Sequence, residues 1–207
     1  KKKEKVPTGS CLILITPDSE RTMCTFLGTA GKINDTDIKK EYIQNAKIIF
    51  LEGYLWDEGD PKKAFDKAIA HSKKVAMSLS DLFCVERHKP HFLELVKNKL
   101  DIIFANEQEI LSLINSKTFE EAISFSKEIK KNIIITRGER GAISIREDQV
   151  VEVNAQSNLK IKDLTGAGDL FAAGYLHGVI NHLNIKECLI KGTELSSKII
   201  QKIGARI

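Results

Sequence analysis

The chain has 207 residues, enough for one sizeable domain or part of a larger one. Its 42% hydrophobic content is ordinary for a globular protein, and 32 Lys+Arg against 28 Asp+Glu leave a formal net charge of +4. That balance permits an anionic ligand and argues against nucleic acid, because the basic opening KKKEK (1–5) has no interleaved aromatic residues and reads as a solvated end or a trimmed loop.

Short apolar runs alternate with longer amphipathic stretches. CLILIT (11–16) and TMCTFLG (22–28) flank the turn PDSER and read as a β-hairpin. The stretch 35–46 has helical spacing through Ile38, Tyr42 and Ala46, with Asp35 or Asp37 as a cap. KIIFLEG (47–53) reads as a strand, 60–74 as a helix with Pro61 in its first turn, and VAMSLS (75–80) as a strand. A helix is predicted over 90–98, a strand over 101–106, a short helix from Glu107 and a longer one over 118–130. Strands follow at 132–138, 142–147 and 150–153, then two helices over about 167–181 and 186–203. Such alternation implies an α/β fold with a mainly parallel sheet covered on both faces. No repeat, low-complexity tract or linker divides the chain.

The four cysteines, Cys11, Cys24, Cys84 and Cys188, are widely spaced without a C-x-x-C and lie among apolar residues. Reduced, mostly buried thiols are expected, which points to the cytoplasm. No apolar run approaches the ~18 residues of a membrane span, and no signal-peptide pattern is present. His88 and His91 in HKPH have no accompanying ligand cluster and read as a solvated loop. GTAGK (28–32) lacks the glycine spacing of a P-loop, and no G-x-G-x-x-G follows the first strand as a dinucleotide-binding dehydrogenase would need.

In open α/β sheets, ligands bind beyond the carboxyl ends of the strands. Three polar clusters follow strand-like runs here: Asn106–Glu109, Thr136–Gly141 and Asp163–Asp169. In the last, DLTGAGDLFAAG (163–174), Gly166, Ala167 and Gly168 stand at a helix entrance and leave little bulk over its unpaired N–H groups. A phosphate could approach that backbone directly, and Asp169 beside it could take a proton from an attacking hydroxyl. The glycines at 174 and 178 give this helix a face able to pack close to a sheet. Taken alone, Asp169 would be a plain helix cap. Likewise NEQE (106–109) alone reads as a helix N-terminus capped by Asn106, and TRGERG (136–141) as a turn between strands, with Arg137 and Arg140 able to favour an anion.

Together these strings resemble the ribokinase-like (PfkB) family of carbohydrate and nucleoside kinases. DLTGAGDLFAAG looks like its carboxyl-terminal signature. The resemblance implies an anion hole at Gly166, Ala167 and Gly168, with Asp169 as catalytic base. It makes Asp163 a candidate for a monovalent cation such as K⁺. NEQE resembles the N-x-x-E motif and implies Mg²⁺ at Asn106 and Glu109, held directly or through water. TRGERG resembles the segment that approaches ATP phosphates, through Thr136, Gly138 and Gly141. GTELSSKIIQKIGAR (192–206) resembles the helix flanking the adenine, and there Leu195, Ile199, Ile200 and Ile203 suggest core packing. Residues 8–33 resemble lid strands of the adenosine-kinase-like and bacterial sugar-kinase branches.

The resemblance thus implies a three-layer fold over 1–207 as a single domain, with 8–33 as a partial β lid. It implies ATP and a small sugar or nucleoside as ligands. The family pattern also has an amino-terminal segment with a Gly-Gly motif, which Thr8–Gly9 already lies past. The chain is therefore expected to be a fragment of a full kinase or a product lacking its front end, with an incomplete sheet. Exposed sheet edges would then favour pairing with another chain, which leaves a homodimer open.

Overall fold

The computed structural model describes residues 5–57 and 59–207. The reading of 1–5 as a solvated end lies, but for Lys5, outside the described residues. Strands β1 (Ser10–Ile15) and β2 (Arg21–Phe26) form the expected hairpin, antiparallel, with Ser10 opposite Phe26 and Ile15 opposite Arg21. They make a sheet of their own and carry exposed Leu12, Leu14, Met23 and Phe26.

The main sheet has six strands in chain order: β3 (Ile49–Glu52), β4 (Val75–Ser78), β5 (Ile102–Asn106), β6 (Asn132–Thr136), β7 (Ala142–Arg146) and β8 (Gln149–Val153). The first four run parallel and the last two pairings are antiparallel. Among the described residues seven α-helices surround it: α1 (Lys40–Asn45), α2 (Asp60–His71), α3 (Leu82–Asn98), α4 (Glu107–Ile114), α5 (Phe119–Glu128), α6 (Ala167–Ile180) and α7 (Ile185–Ile199).

The near-continuous apolar runs of the parallel strands are explained by burial on both faces. Met77, Ile103, Ile133 and Ile135 pack with Phe65, Val85, Phe92 and Ile110 from α2, α3 and α4. The alternate residues Ala76, Ile102, Phe104 and Ile134 pack with Phe171, Tyr175 and Leu189 from α6 and α7. Three layers result.

Several expectations are corrected. Asp35–Asp37 is a separate 3-10 turn capped by Asn34, so the helix starts at Lys40. Helix α3 begins at Leu82, eight residues ahead of Pro90. Asp81 caps it, its Oδ1 accepting from Phe83 N at 2.8 Å. Proline is favoured at a helix start, but here it sits inside, after a break at His88 (φ −120°, ψ 19°). His88 is therefore no loop residue: it is buried, with its ring 4.6 Å from that of Trp56, although His91 stays exposed.

Helix α7 stops at Ile199, and Ile203 is 77% exposed and outside the core. All four cysteines are free, but only Cys84 and Cys188 are buried, because a two-stranded hairpin leaves Cys11 and Cys24 exposed. Gly174 and Gly178 of α6 face α7 and not the sheet. A Cβ at Gly174 would stand 2.5 Å from Lys191 O, while Phe171 and Tyr175 meet the strands.

Candidate active site at the carboxyl ends of the parallel strands

Neighbouring strands bring distant residues to one level. Glu52 lies opposite Ser78 at the ends of β3 and β4, and Asn106 opposite Thr136 at the ends of β5 and β6. Above these ends opens a cleft of about 970 Å³. Asn106, Glu109, Thr136, Gly166, Gly168 and Asp169 all line it. Gly138, Gly141, Ala167 and Asp163 are not among the lining residues.

The amino end of α6 has no side-chain cap, and Gly166 enters it with φ 80°. The first helical bond runs from Leu170 N to Gly166 O at 2.9 Å, so the amides of Gly168 and Asp169 precede it and point out of the helix end. A Cβ added at Gly168 would meet nothing within 4 Å. The space over those donors is open to the cleft, and Asp169 is exposed beside it.

Asn106 and Glu109 form a reciprocal capping box at the start of α4. Glu109 is 5% exposed. Burial, aided by the charge of Asp81, pushes its carboxyl up to about 7 against the opposing hydrogen bonds from Asn106. Glu52 is likewise pushed up to about 7, by burial first and by Asp169 second. Among the described residues no group of three acidic, His or Cys residues is arranged to hold a metal ion.

Thr136 reaches the cleft, but the two arginines of its loop do not offer free charge. Arg137 and Arg140 both pair with Glu107, at 3.0 and 2.7 Å, which corrects the expectation that they favour an anion. Gly141 has a packing role: with φ 85°, its Cβ would stand 2.0 Å from Val153 O. Asp163 is buried. Its Oδ1 accepts from Thr165 N and Oγ1 at 2.8 and 2.6 Å, and its Oδ2 from Gly204 N at 2.8 Å. Burial works against its charge, but these bonds and the nearby Arg21 hold the carboxyl below its ordinary value.

The sequence reading missed Arg21, Glu52 and Asp81, which also line the cleft. Arg21 alternates with Met23 and Thr25 on the hairpin face over the cleft, a period-two signal visible in β2. Glu52 carried a signal too, as an acid ending an apolar strand. Cys84 lies in the cleft, but burial together with Asp81 and Glu109 pushes its thiol up to about 11, so it is no ready nucleophile.

Residues 1–207 match the pfkB family carbohydrate kinase, and the chain belongs to that family. A solved structure described as a probable sugar kinase from Rhizobium etli CFN 42 shares the fold with a TM-score of 0.94 and 36% identity, over 100% of this chain and 64% of that one. The adenosine kinase structure from Sinorhizobium meliloti gives 0.93 and 36%, over 97% and 63%. The cytidine kinase of Thermococcus kodakarensis is 27% identical over 184 residues, 86% of this chain and 63% of its own length. The three-layer architecture is the ribokinase-like fold, and the chain spans 63–64% of the length of these three relatives. No described helix is long and apolar enough to cross a membrane.

Proposed function

We propose that the cleft binds Mg·ATP and supports phosphoryl transfer to an alcohol group of a sugar or nucleoside. The observation that carries this reading is the uncapped amino end of α6, whose open space over Gly168 shares one cleft with Asp169, Asn106, Glu109 and Thr136. Residues 1–207 are read as one domain, with 8–33 as part of a lid.

In the step itself, the acceptor oxygen attacks the γ-phosphorus while its proton passes to the Asp169 carboxylate. A new O–P bond forms, the bond from the γ-phosphorus to the β,γ-bridging oxygen breaks, and ADP leaves with that electron pair. The amides of Gly168 and Asp169 donate to the γ-phosphoryl oxygens, where charge accumulates. Arg21 is the hairpin cation available to the same group.

The donor set fits Mg²⁺ that arrives on the nucleotide. Glu109 is a buried acid whose charge is disfavoured, which a divalent cation would relieve. With no acidic trio among the described residues to cage a metal, Asn106 and Glu109 would hold it through water, with phosphates completing the shell. Bound there, Mg²⁺ supplies neutralisation of the phosphate charge. A related fold from E. coli has been solved with ATP and Mg²⁺. A monovalent cation such as K⁺ would have to share the Asp163 carboxylate with its three hydrogen bonds.

A second reading is a nucleotide-binding chain completed by another polypeptide. It is favoured by β3, which among the described residues pairs on one side only and leaves Phe50 38% exposed beside a groove lined by Ile48, Leu176 and Ile180. A coupled ADP-release assay with sugars and nucleosides, on this chain and on a chain extended at its amino end, separates the two. Turnover by this chain supports the first reading. Mg·ATP binding with turnover only after extension supports the second. Absence of Mg·ATP binding in both chains overturns both.

A further inference from the structure

A helix and a loop leave the sheet side by side at the cleft. Helix α4 starts just past Asn106 and the loop just past Thr136, and these two residues pair in the last rung of the β5–β6 ladder. Beyond that rung the β5–β6 ladder no longer ties the two segments together. Glu107 follows Asn106, Arg137 follows Thr136, and the two side chains meet there.

The Arg137 guanidinium is held from three directions. Its Nε donates to Glu107 Oε2 at 3.0 Å, its Nη1 donates to Glu152 Oε1 at 2.9 Å, and its central carbon lies 3.9 Å from the centroid of the Phe119 ring. Its backbone N donates to Gly141 O at 2.8 Å, closing the loop on itself. The side chain is 16% exposed and that of Glu107 is 20% exposed. An isolated surface ion pair contributes little, because two long side chains must be ordered for a screened attraction. Here the planar fork is stacked on an aromatic ring and bonded to two carboxylates, so ordering it once secures several contacts.

The charge balance decides what this arginine does. Arg137 faces Glu107 and Glu152, and Arg140 faces Glu107. Their positive charge is met by carboxylates and not turned to the cleft. What this segment offers a phosphate in the cleft is the Thr136 hydroxyl, which acts well only if the loop is already in place.

We propose that Arg137 is a positioning residue. With Glu107 it locks the 136–141 loop to the amino end of α4, so that the phosphate-side loop and the Asn106–Glu109 capping box form one preset unit. The proposal rests on the reading of the cleft as a Mg·ATP site. Its side-chain partners come from three elements, α4, α5 and β8, so removing the guanidinium frees the loop from all of them at once.

The test uses Arg137→Met, which keeps an apolar stem over Phe119, with Glu107→Gln, their double variant and Arg137→Lys. Hydrogen exchange of the nucleotide-free chains is measured over 106–109 and 136–141, Mg·ATP affinity by titration, and folding by melting temperature. Each single variant should raise exchange in both segments together and weaken Mg·ATP by about 10- to 100-fold, the size of one lost charge-assisted bond. The double variant should lose clearly less than the sum of the two singles, because both remove the shared Arg137–Glu107 contact. Arg137→Lys should restore part of the loss, as a point charge replaces the fork. Exchange rising only near the substituted residue, or losses that add in the double variant, would overturn the brace even if Mg·ATP binds. Coupled exchange in a chain that binds no Mg·ATP would instead sink the nucleotide reading, and this proposal with it. If Arg137→Met does not fold, Glu107→Gln carries the same comparison.

Discussion

Asn106 and Glu109 close on each other. Glu109 accepts from Asn106 N at 2.9 Å and from Asn106 Nδ2 at 2.7 Å, while Asn106 Oδ1 accepts from Glu109 N at 2.8 Å. Sequence reasoning set a helix cap against a metal-orienting pair, and the geometry makes these compatible. The cap holds the buried carboxyl at the cleft wall, where it is kept from ionising in the ordinary range.

That restraint gives stability a definite pH dependence. Glu109 is raised from 4.5 to about 7 in the folded chain. As pH climbs through that window the unfolded chain releases its proton first, so stability falls, and it levels off above the folded value. The full loss is on the order of 3 kcal/mol for one group. Glu52, raised in the same direction, adds to the fall. Urea unfolding at pH 5 and pH 8 should show wild type losing about 2 kcal/mol more than Glu109→Gln between those values. Parallel pH curves would show that Glu109 does not titrate in this window.

Two glycines of one loop should respond differently to alanine. Gly141 and Gly138 have φ of 85° and 57°, so each alanine carries roughly 1 kcal/mol or more of left-handed strain. At Gly141 the new Cβ also drives into Val153 O, whereas at Gly138 it meets nothing within 4 Å. Gly141→Ala should therefore cost about 3 kcal/mol or more and Gly138→Ala about 1. Denaturant midpoints of the two variants check the order. Equal losses would mean that β8 shifts to make room.

The strands were legible because a parallel sheet buried on both faces leaves continuous apolar runs, and the three polar clusters could be placed at their ends. The start of α3 was not. Pro90 is a strong local signal, and only packing of Val85 and His88 against Trp56 and Phe92 reveals the turns before it. The direction of α6 was misread for a similar reason, since a row of glycines says that something comes close without saying what. Arg21 and Glu52 were missed because each is one charged residue in an ordinary strand, meaningful only once the hairpin overhangs the cleft.

Asp163 ties the loop before α6 to the carboxyl-terminal turn at Gly204, which no spacing in the sequence announces. Asp163→Asn keeps an acceptor for Thr165 but turns an amide donor toward Gly204 N. The loss should be about 1.5–3 kcal/mol, as for a hydrogen bond to a charged group. Hydrogen exchange over 200–207 should rise first. The wild-type carboxyl is held below its ordinary value, so its contribution is present above pH 3.8, the unfolded value, and is lost as pH falls through the lower folded one. If the variant leaves exchange at 200–207 unchanged, the tie is not what holds that turn.

The last prediction separates Asp169 from the helix end on which it stands. Gly168→Val adds bulk where the protein has none, and valine is no poorer a helix former than glycine, so folding should be nearly unaffected. Its branched side chain would, however, occupy the space a phosphate needs, and Mg·ATP affinity should fall about tenfold or more. Asp169→Asn keeps the size and leaves the backbone donors in place, so nucleotide binding should change little. Turnover, measured in whichever chain is active, should drop by about 10²–10⁴, the range for a positioned general base. The two variants therefore fail in opposite assays, one in titration and the other in single-turnover phosphorylation. Normal turnover in Asp169→Asn would reduce Asp169 to a first-turn acid facing a helix dipole. Undiminished Mg·ATP binding in Gly168→Val would remove the phosphate from the end of α6.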